Sequence, residues 1–211
     1  LFENLPGRWF LLHAFWNVGI VLGTLEDFKR TIDNPINACD KTLEYNLAPS
    51  YLSMALHLYH CIIPWYAKSL TFQDFMHHIV FAICGLGSMS LAWSWGPGAN
   101  FAFFFLTGFP GGVDYFMLAM VKLKIMNRIT EKKLNTLINT WCRGPGCVIS
   151  AAWTYSNYVQ GIMEPPVFIV ILQMILLFVN GQYYATRIAL NYQKVVTTEK
   201  LSPKRNIRKG K

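Results

Sequence analysis

The sequence predicts an all-α, polytopic membrane protein with six transmembrane helices, and three observations support this fold class. Of the 211 residues, 53% are hydrophobic and only 14% are charged, whereas about 25% of residues are charged in soluble domains. Several apolar stretches reach the roughly 20 residues that a helix needs to cross a bilayer core. The basic residues lie mostly in the connections and the C-terminal tail, where a membrane topology places them. The net charge of +8 therefore reflects topology, and we do not expect a nucleic-acid partner.

The first two predicted spans are separated by a polar, mostly acidic loop. The first span runs from Trp9 to about Leu25, and the second runs from about Leu47 to Tyr66. The loop from Glu26 to Asn46 carries five acidic and three basic side chains. Because short cytoplasmic loops are enriched in Lys and Arg, this loop is expected on the opposite side of the membrane.

The third and fourth spans carry ionisable residues inside apolar sequence. The third runs from Asp74 to Trp95, and Asp74 is of a type that caps helix N-termini. The fourth runs from about Ala99 to Val121 and contains the segment Phe109-Pro110-Gly111-Gly112. Since proline removes a backbone donor and clashes with the preceding turn, we expect this helix to be interrupted there.

The fifth and sixth spans complete the predicted domain. The fifth runs from about Leu134 to Tyr158, with an interruption expected at Arg143-Gly144-Pro145-Gly146, and the sixth runs from Val167 to about Leu190. Residues 1–193 are thus predicted to form one six-span domain, and residues 194–211 a basic C-terminal tail.

A topology with six spans also agrees with the distribution of Lys and Arg along the sequence. It places both termini, the loop that carries Lys68 and the basic loop from Lys122 to Lys133 on one side of the membrane. The acidic or uncharged loops then lie on the other side, as the positive-inside rule requires.

The ionisable residues inside the predicted spans are candidates for a functional site. A charged side chain at the centre of a membrane helix costs about 2.5–3.5 kcal/mol on insertion scales, so such residues face the protein interior. At a rise of 1.5 Å per residue, four of these residues lie in the same half of the membrane, namely His77, His78, Asp114 and Arg143. Asp114 and Arg143 can pair there. The full set is His13, His57, His60, His77, His78, Asp114 and Arg143.

The histidines also raise the question of a metal or haem. His57 and His60 lie three residues apart, on one face of the second helix, and neutral imidazoles bind both metals and haem iron. However, the adjacent residues His77 and His78 project about 100° apart on an α-helix. They cannot easily bind one metal together, so we expect no metal site and no cofactor, and the histidines are interpreted as core or lumen-facing residues.

These motifs resemble the TLC domain family, which includes ceramide synthases, translocation-associated membrane proteins and lipid-regulatory membrane proteins. The segment Asp74-Phe75-Met76-His77-His78, followed by an apolar run, is similar to the ceramide-synthase segment that ends in His-His. Asp114-Tyr115 followed by Lys122 resembles a later family segment, and Arg143 lies where such proteins carry a basic residue. The resemblance covers about Leu47 to Tyr192 and implies a barrel of six helices around a hydrophobic tunnel for an acyl chain.

The sequence departs from the synthase pattern at three positions. Phe81 stands where the synthases have threonine, Gly111 replaces the first of two aspartates, and Pro110 replaces the histidine before it. These losses favour a non-catalytic protein that binds or handles lipid acyl chains, either in lipid regulation or as an accessory subunit of a larger membrane complex.

The alternative function is an acyl-CoA-dependent N-acyltransferase of the ceramide synthase type, acting on a sphingoid or other lipid amine. His77 and His78 would then be base or nucleophile, Asp114 would orient an imidazole, and acyl-CoA would be a co-substrate. Arg143, His57 and His60 are expected to contact substrate or lipid under either function.

The expected partners are membrane lipids and, for an accessory subunit, other membrane proteins. The terminal Arg208-Lys209-Gly210-Lys211 resembles a basic retrieval signal, which favours the endoplasmic reticulum. The mitochondrial inner membrane is the alternative location.

Overall fold

The structure, a computed structural model, describes residues 6–62 and 71–201, and every regular element in these ranges is helical. The predicted end of the second span, with Pro64 and Tyr66, the loop residue Lys68 and residues 202–211 lie outside the described residues. In chain order the helices are α1 (Arg8–Asp33), α2 (Ala48–Ile62), α3 (Phe72–Ala92), α4 (Gly98–Lys122), α5 (consecutive segments Arg128–Ile138, Asn139–Arg143 and Gly144–Val159) and α6 (Val167–Leu201), with a short 3-10 turn at Pro35–Asn37.

Four helices of the described residues are long and apolar enough to cross a membrane, so the chain is an integral membrane protein. They are α1, α3, α4 and the part of α6 from Val167 to Glu199. The described part of α2 has 15 residues, or about 22 Å of helix against a bilayer core of about 30 Å. The first segment of α5 carries four charged residues. The six-span topology therefore stays a prediction.

Helix α1 shows a polarity that is inverted relative to helices of soluble proteins. Its polar residues His13, Asn17 and Thr24 are fully buried, whereas Phe15 is 77% exposed and Leu22 is 64% exposed. In water such a helix would expose a large apolar stripe, but in a bilayer the apolar face meets lipid and the polar face meets protein. This pattern agrees with the membrane assignment.

The helices pack in a closed ring. Helix α1 packs against α2 and α4, α2 packs against α3, α3 packs against α6, α6 packs against α5, and α5 packs against α4. A ring of this kind encloses an interior that the polar faces of the helices can line.

Two helices extend beyond their predicted ends. Helix α1 continues past Leu25 to Asp33, and α6 continues past Leu190 to Leu201, into the predicted tail. In each case no proline or glycine intervenes before the observed end, and Pro35 and Pro203 are the first helix breakers that follow.

The predicted interruptions at Pro110 and Pro145 are wrong, because both helices continue through the prolines. The turn before each proline widens into a π-helical segment, Phe104–Gly108 in α4 and Asn139–Arg143 in α5. A third and longer π-helical segment, Met76–Gly87, forms most of α3. Widening relieves the clash between a proline ring and the preceding carbonyl groups without ending the helix.

The N-terminus of α3 is capped by Thr71 rather than by Asp74. The amide of Asp74 donates to Thr71 Oγ1 at 3.2 Å, and the amide of Thr71 donates to Asp74 Oδ2 at 3.0 Å. These reciprocal bonds are a capping box. They fix the first turn directly before His77 and His78.

Candidate functional site: a polar cavity inside the helical ring

A cavity of about 280 Å³ lies inside the ring and is lined by residues of all six helices. Each site residue predicted from the sequence lies on its wall, namely His57, His60, His77, His78, Asp114 and Arg143. The volume is close to the lower end of the roughly 300–1,000 Å³ typical of small-molecule sites. The cavity can therefore hold a head group or a small molecule, but not a whole lipid.

The three π-helical segments all contribute to the cavity wall. Met76–Gly87 provides His77 and His78, Phe104–Gly108 provides Thr107, and Asn139–Arg143 provides Arg143. π-Helical turns are rare and frequently occur at functional sites. Here they place polar side chains of apolar helices at the cavity.

A chain of hydrogen bonds joins three histidines of three helices. His13 Nδ1 donates to the carbonyl oxygen of Trp9 at 2.7 Å, His13 Nε2 bonds to His60 Nε2, and His60 Nδ1 lies 3.3 Å from His78 Nδ1. Because a carbonyl only accepts, neutral rings in this chain have one consistent set of tautomers. His60 donates from Nε2 to His13, His78 donates from Nδ1 to His60, and the lone pair of His78 lies on Nε2.

The other two histidines lie beside this chain. His57 Nδ1 donates to the carbonyl oxygen of Ser53 at 2.7 Å, which leaves the lone pair of a neutral ring on Nε2. His77 Nδ1 lies 3.0 Å from the hydroxyl of Tyr184. The ring centroid of His57 lies 5.5 Å from that of His77 and 5.4 Å from that of His78. Three imidazoles of α2 and α3 thus share one part of the cavity.

Asp114 is positioned by α5 rather than by a histidine. Its Oδ1 accepts a hydrogen bond of 2.6 Å from Asn135 Nδ2, and Asn135 Oδ1 accepts one of 2.6 Å from Asn139 Nδ2. Among the described hydrogen bonds, the side chain of Asp114 pairs with Asn135 and with no histidine. The role of Asp114 as the group that orients His77 or His78 therefore stays a prediction.

Arg143 is a buried cation that makes no direct ion pair among the described residues. It is 7% exposed, it forms no ion pair with a described carboxylate, and its Nε has no hydrogen-bond partner. The expected pair with Asp114 is therefore not formed, although both residues line the cavity. The guanidinium carbon of Arg143 lies 5.1 Å from the ring centroid of Tyr184, which supplies a cation–π contact.

A second, more apolar groove adjoins the cavity between α3 and α6. Its volume is about 260 Å³, and it includes Phe72, Met76 and Val179. It shares His77, Asn180, Tyr184 and Arg187 with the polar cavity. Phe72 and Val179 are exposed, so the groove adjoins both the polar cavity and the outer surface of the helical ring.

Several residues of the cavity had no predicted catalytic or binding role. His13 and Tyr184 bond directly to predicted histidines, and Asn135 bonds to Asp114. A signal for His13 exists in the sequence, because His13 and Asn17 lie four residues apart on one face of an otherwise apolar helix. Asn135 and Tyr184 carry no comparable signal in the sequence.

The α-helical geometry assumed for His77 and His78 does not apply to this segment, and the expectation of no metal site stays a prediction. His77 and His78 lie in a π-helical turn, in which consecutive side chains diverge by less than the 100° of an α-helix. One ligand atom from each of His57, His77 and His78 lies within 4.8 Å of the other two. The two adjacent histidines can therefore face one point.

The fold and this site define an integral membrane protein whose helices enclose a polar, histidine-rich cavity. Comparisons with protein-family models, with curated proteins and with solved structures find no match to the chain. The function is therefore argued from the cavity itself.

Proposed function

We propose that this protein binds an amphiphile with an anionic head group and does not transform it. The head group, a carboxylate or a phosphate, occupies the polar cavity beside Arg143, and the hydrocarbon chain leaves through the groove between α3 and α6. This function belongs to the lipid-handling class that the resemblance to the TLC family implies, and the closed ring of helices supports the six-helix barrel expected for that family.

The observation that carries the proposal is the buried guanidinium of Arg143, which forms no ion pair with a described carboxylate and whose Nε has no hydrogen-bond partner. Asp114 attracts it electrostatically and the Tyr184 ring adds a cation–π contact of about 0.5–2 kcal/mol, but neither accepts a hydrogen bond from Nε. Carboxylates and phosphates are the groups that an arginine binds through two parallel, charge-assisted hydrogen bonds. An anionic head group in the cavity would therefore complete the site.

The hydrocarbon chain is assigned to the groove on the basis of size and chemistry. The polar cavity, at about 280 Å³, holds a head group only. The adjoining groove offers Phe72, Met76 and Val179 to a chain, and it opens on the surface that faces the bilayer. A lipid can thus enter sideways from the membrane while its head group reaches Arg143.

The test compares ligands that share a chain but differ in charge. Purified protein in detergent is titrated with oleate, with oleyl phosphate and with oleyl alcohol, and bound ligand is counted by native mass spectrometry. We expect oleate or oleyl phosphate to bind and oleyl alcohol to bind more weakly. The better of the two anions identifies the head group as carboxylate or phosphate.

Arg143→Gln should weaken anion binding about 10- to 100-fold, because a charge-assisted hydrogen bond contributes about 1.5–3 kcal/mol. Arg128→Gln is the matched control, since Arg128 is exposed at the start of α5 and lies outside the cavity. The proposal fails if the charged and uncharged ligands bind equally well, or if the two variants lose affinity to the same extent.

The second candidate is the acyl-CoA-dependent N-acyltransferase, which is favoured by the presence of His77, His78 and Asp114 in the lining of one cavity. It is tested by incubating the protein with acyl-CoA and a sphingoid base. An amide product that is absent in His78→Ala would replace the binding proposal. For either function the endoplasmic reticulum is the proposed location and the mitochondrial inner membrane the alternative, and an accessory role in a larger membrane complex belongs to the same proposal.

A further inference from the structure

We propose that His57, His77 and His78 form a binding site for one divalent transition-metal ion, and that the ion is zinc. The three residues converge from α2 and from the first π-helical turn of α3. This site shares His77 with the groove between α3 and α6, but it uses neither Arg143 nor the apolar residues of that groove. Zinc content and lipid binding are measured separately, so either proposal can fail alone.

The distances among the ligand atoms of the three histidines are close to those of a zinc site. The three ligand atoms lie within 4.8 Å of one another, whereas nitrogen ligands at 2.0–2.1 Å from tetrahedral zinc are about 3.3 Å apart. Each nitrogen must therefore move by less than about 1 Å toward the common centre. Rotations of the imidazole rings within the cavity of about 280 Å³ can supply such a movement.

The hydrogen bonds of the three rings direct lone pairs as a metal requires. His57 donates from Nδ1 to the carbonyl oxygen of Ser53, which is the arrangement by which metal-binding histidines are commonly held. Tyr184 Oη can accept from His77 Nδ1 at 3.0 Å in the same way. In both rings Nε2 then carries the lone pair.

His78 is oriented by the chain of histidines. The carbonyl oxygen of Trp9 fixes the tautomer of His13, His13 fixes that of His60, and His60 fixes that of His78, whose lone pair then lies on Nε2. The two histidines outside the metal site thus set the tautomer of His78.

The ligand set selects the class of metal. Three neutral imidazoles suit zinc, copper, nickel or iron, whereas magnesium and calcium prefer oxygen ligands. Zinc accepts three protein ligands with a fourth position left for water or for an oxygen of another ligand. Zinc also has no redox chemistry, which is compatible with a site in a protein that binds without transforming its ligand.

The test uses the full-length protein, purified without a histidine tag, depleted with a chelator and then loaded with Zn²⁺ alone. We expect about one zinc ion per chain by elemental mass spectrometry. X-ray absorption of the loaded wild-type protein should show imidazole nitrogens at about 2.0–2.1 Å. Less than a tenth of an equivalent, or a first shell dominated by sulfur near 2.3 Å, would overturn the proposal.

Variants distinguish a ligand from a residue outside the site. His57→Gln should lower zinc affinity at least 100-fold, whereas Arg128→Gln, which changes an exposed residue outside the cavity, should retain one zinc per chain. Equal losses in the two variants would contradict the assignment of ligands. The absorption measurement on the wild-type protein decides the question if a variant does not fold.

Discussion

Asp27 anchors the end of the molecule remote from the histidines, and its replacement by alanine tests the interior packing of the fold. The carboxylate is 2% exposed in α1. Its two oxygens accept hydrogen bonds of 2.7 Å from Asn100 Nδ2 of α4, 2.8 Å from the amide of Asn46 and 2.9 Å from Arg30 Nη1. One side chain therefore connects α1, the following loop and α4.

The expected loss of stability follows from the burial of each donor. Asn100 Nδ2 is buried, so leaving it without Asp27 costs about 1–3 kcal/mol, moderated by the hydrogen bond that it keeps to Asn46 O. The amide of Asn46 is partly buried and contributes about 1 kcal/mol. The side chain of Arg30 is 40% exposed, so its ion pair adds less than about 1 kcal/mol. The total is about 3 kcal/mol.

Thermal unfolding in detergent measures this effect, with Asp33→Ala as the matched control. Asp33 lies in the same helix, but its ion pair with Lys29 joins two exposed side chains, where solvent screens the attraction. At about 2–4 °C per kcal/mol for a chain of this size, Asp27→Ala should lower Tm by about 6–12 °C, whereas Asp33→Ala should lower it far less. Equal shifts in the two variants would refute the assignment of Asp27 to the interior.

Two further predictions test the packing and the chemistry of the interior. Gly146→Ala should destabilise the protein by about 1–3 kcal/mol in the same unfolding assay, because its new Cβ would overlap the ring of Phe105. The control Gly19→Ala, whose Cβ would lie an ordinary 3.5 Å from Leu52, should be neutral. A larger loss of stability in Gly19→Ala than in Gly146→Ala would contradict this packing. Burial raises the pKa of the Cys39 thiol to about 12, so at pH 8 only about one thiol in ten thousand is a thiolate. N-ethylmaleimide should therefore label Cys39 only after unfolding, as detected by peptide mass mapping. Rapid labelling of the folded protein would contradict this prediction and show that Cys39 is accessible.

The sequence predicted the class of the fold because that class depends on composition. Apolar stretches of sufficient length and the distribution of Lys and Arg indicated an all-helical membrane protein, and four helices confirm this. The helix ends were predicted less well. Asp27 was assigned to a polar loop, although the absence of a helix breaker before Pro35 allows α1 to continue. Its burial depends on Asn46 and Asn100, whose proximity only the tertiary fold creates.

The residues of the candidate site were predictable because a charged side chain in a membrane helix is costly unless it faces the protein interior. His77, His78, Asp114 and Arg143 were expected to converge because no ionisable group is stable against lipid, and all four line one cavity. The pairing inside the cavity was not predictable, because it depends on side-chain distances of a few ångströms. Asp114 bonds to Asn135 instead of pairing with Arg143, and no spacing in the sequence distinguishes these partners.

The two prolines explain how apolar helices come to present polar groups to the cavity. The amide of Phe109 bonds to the carbonyl of Phe104, and the amide of Gly144 bonds to the carbonyl of Asn139. Each bond spans five residues rather than four, and in each the donor directly precedes a proline.

The position of these turns follows from the physical chemistry of a proline in lipid. A proline ring clashes with the carbonyl of the turn before it and offers no N–H in return, and lipid cannot satisfy the carbonyl groups that are freed. A widened turn is therefore stable only where its backbone faces protein or a polar cavity. This requirement places Thr107 and Arg143, which lie in the widened turns, on the cavity wall. The prolines were the correct signal in the sequence, and their consequence is a rotation of side chains into the interior rather than a break in the helix.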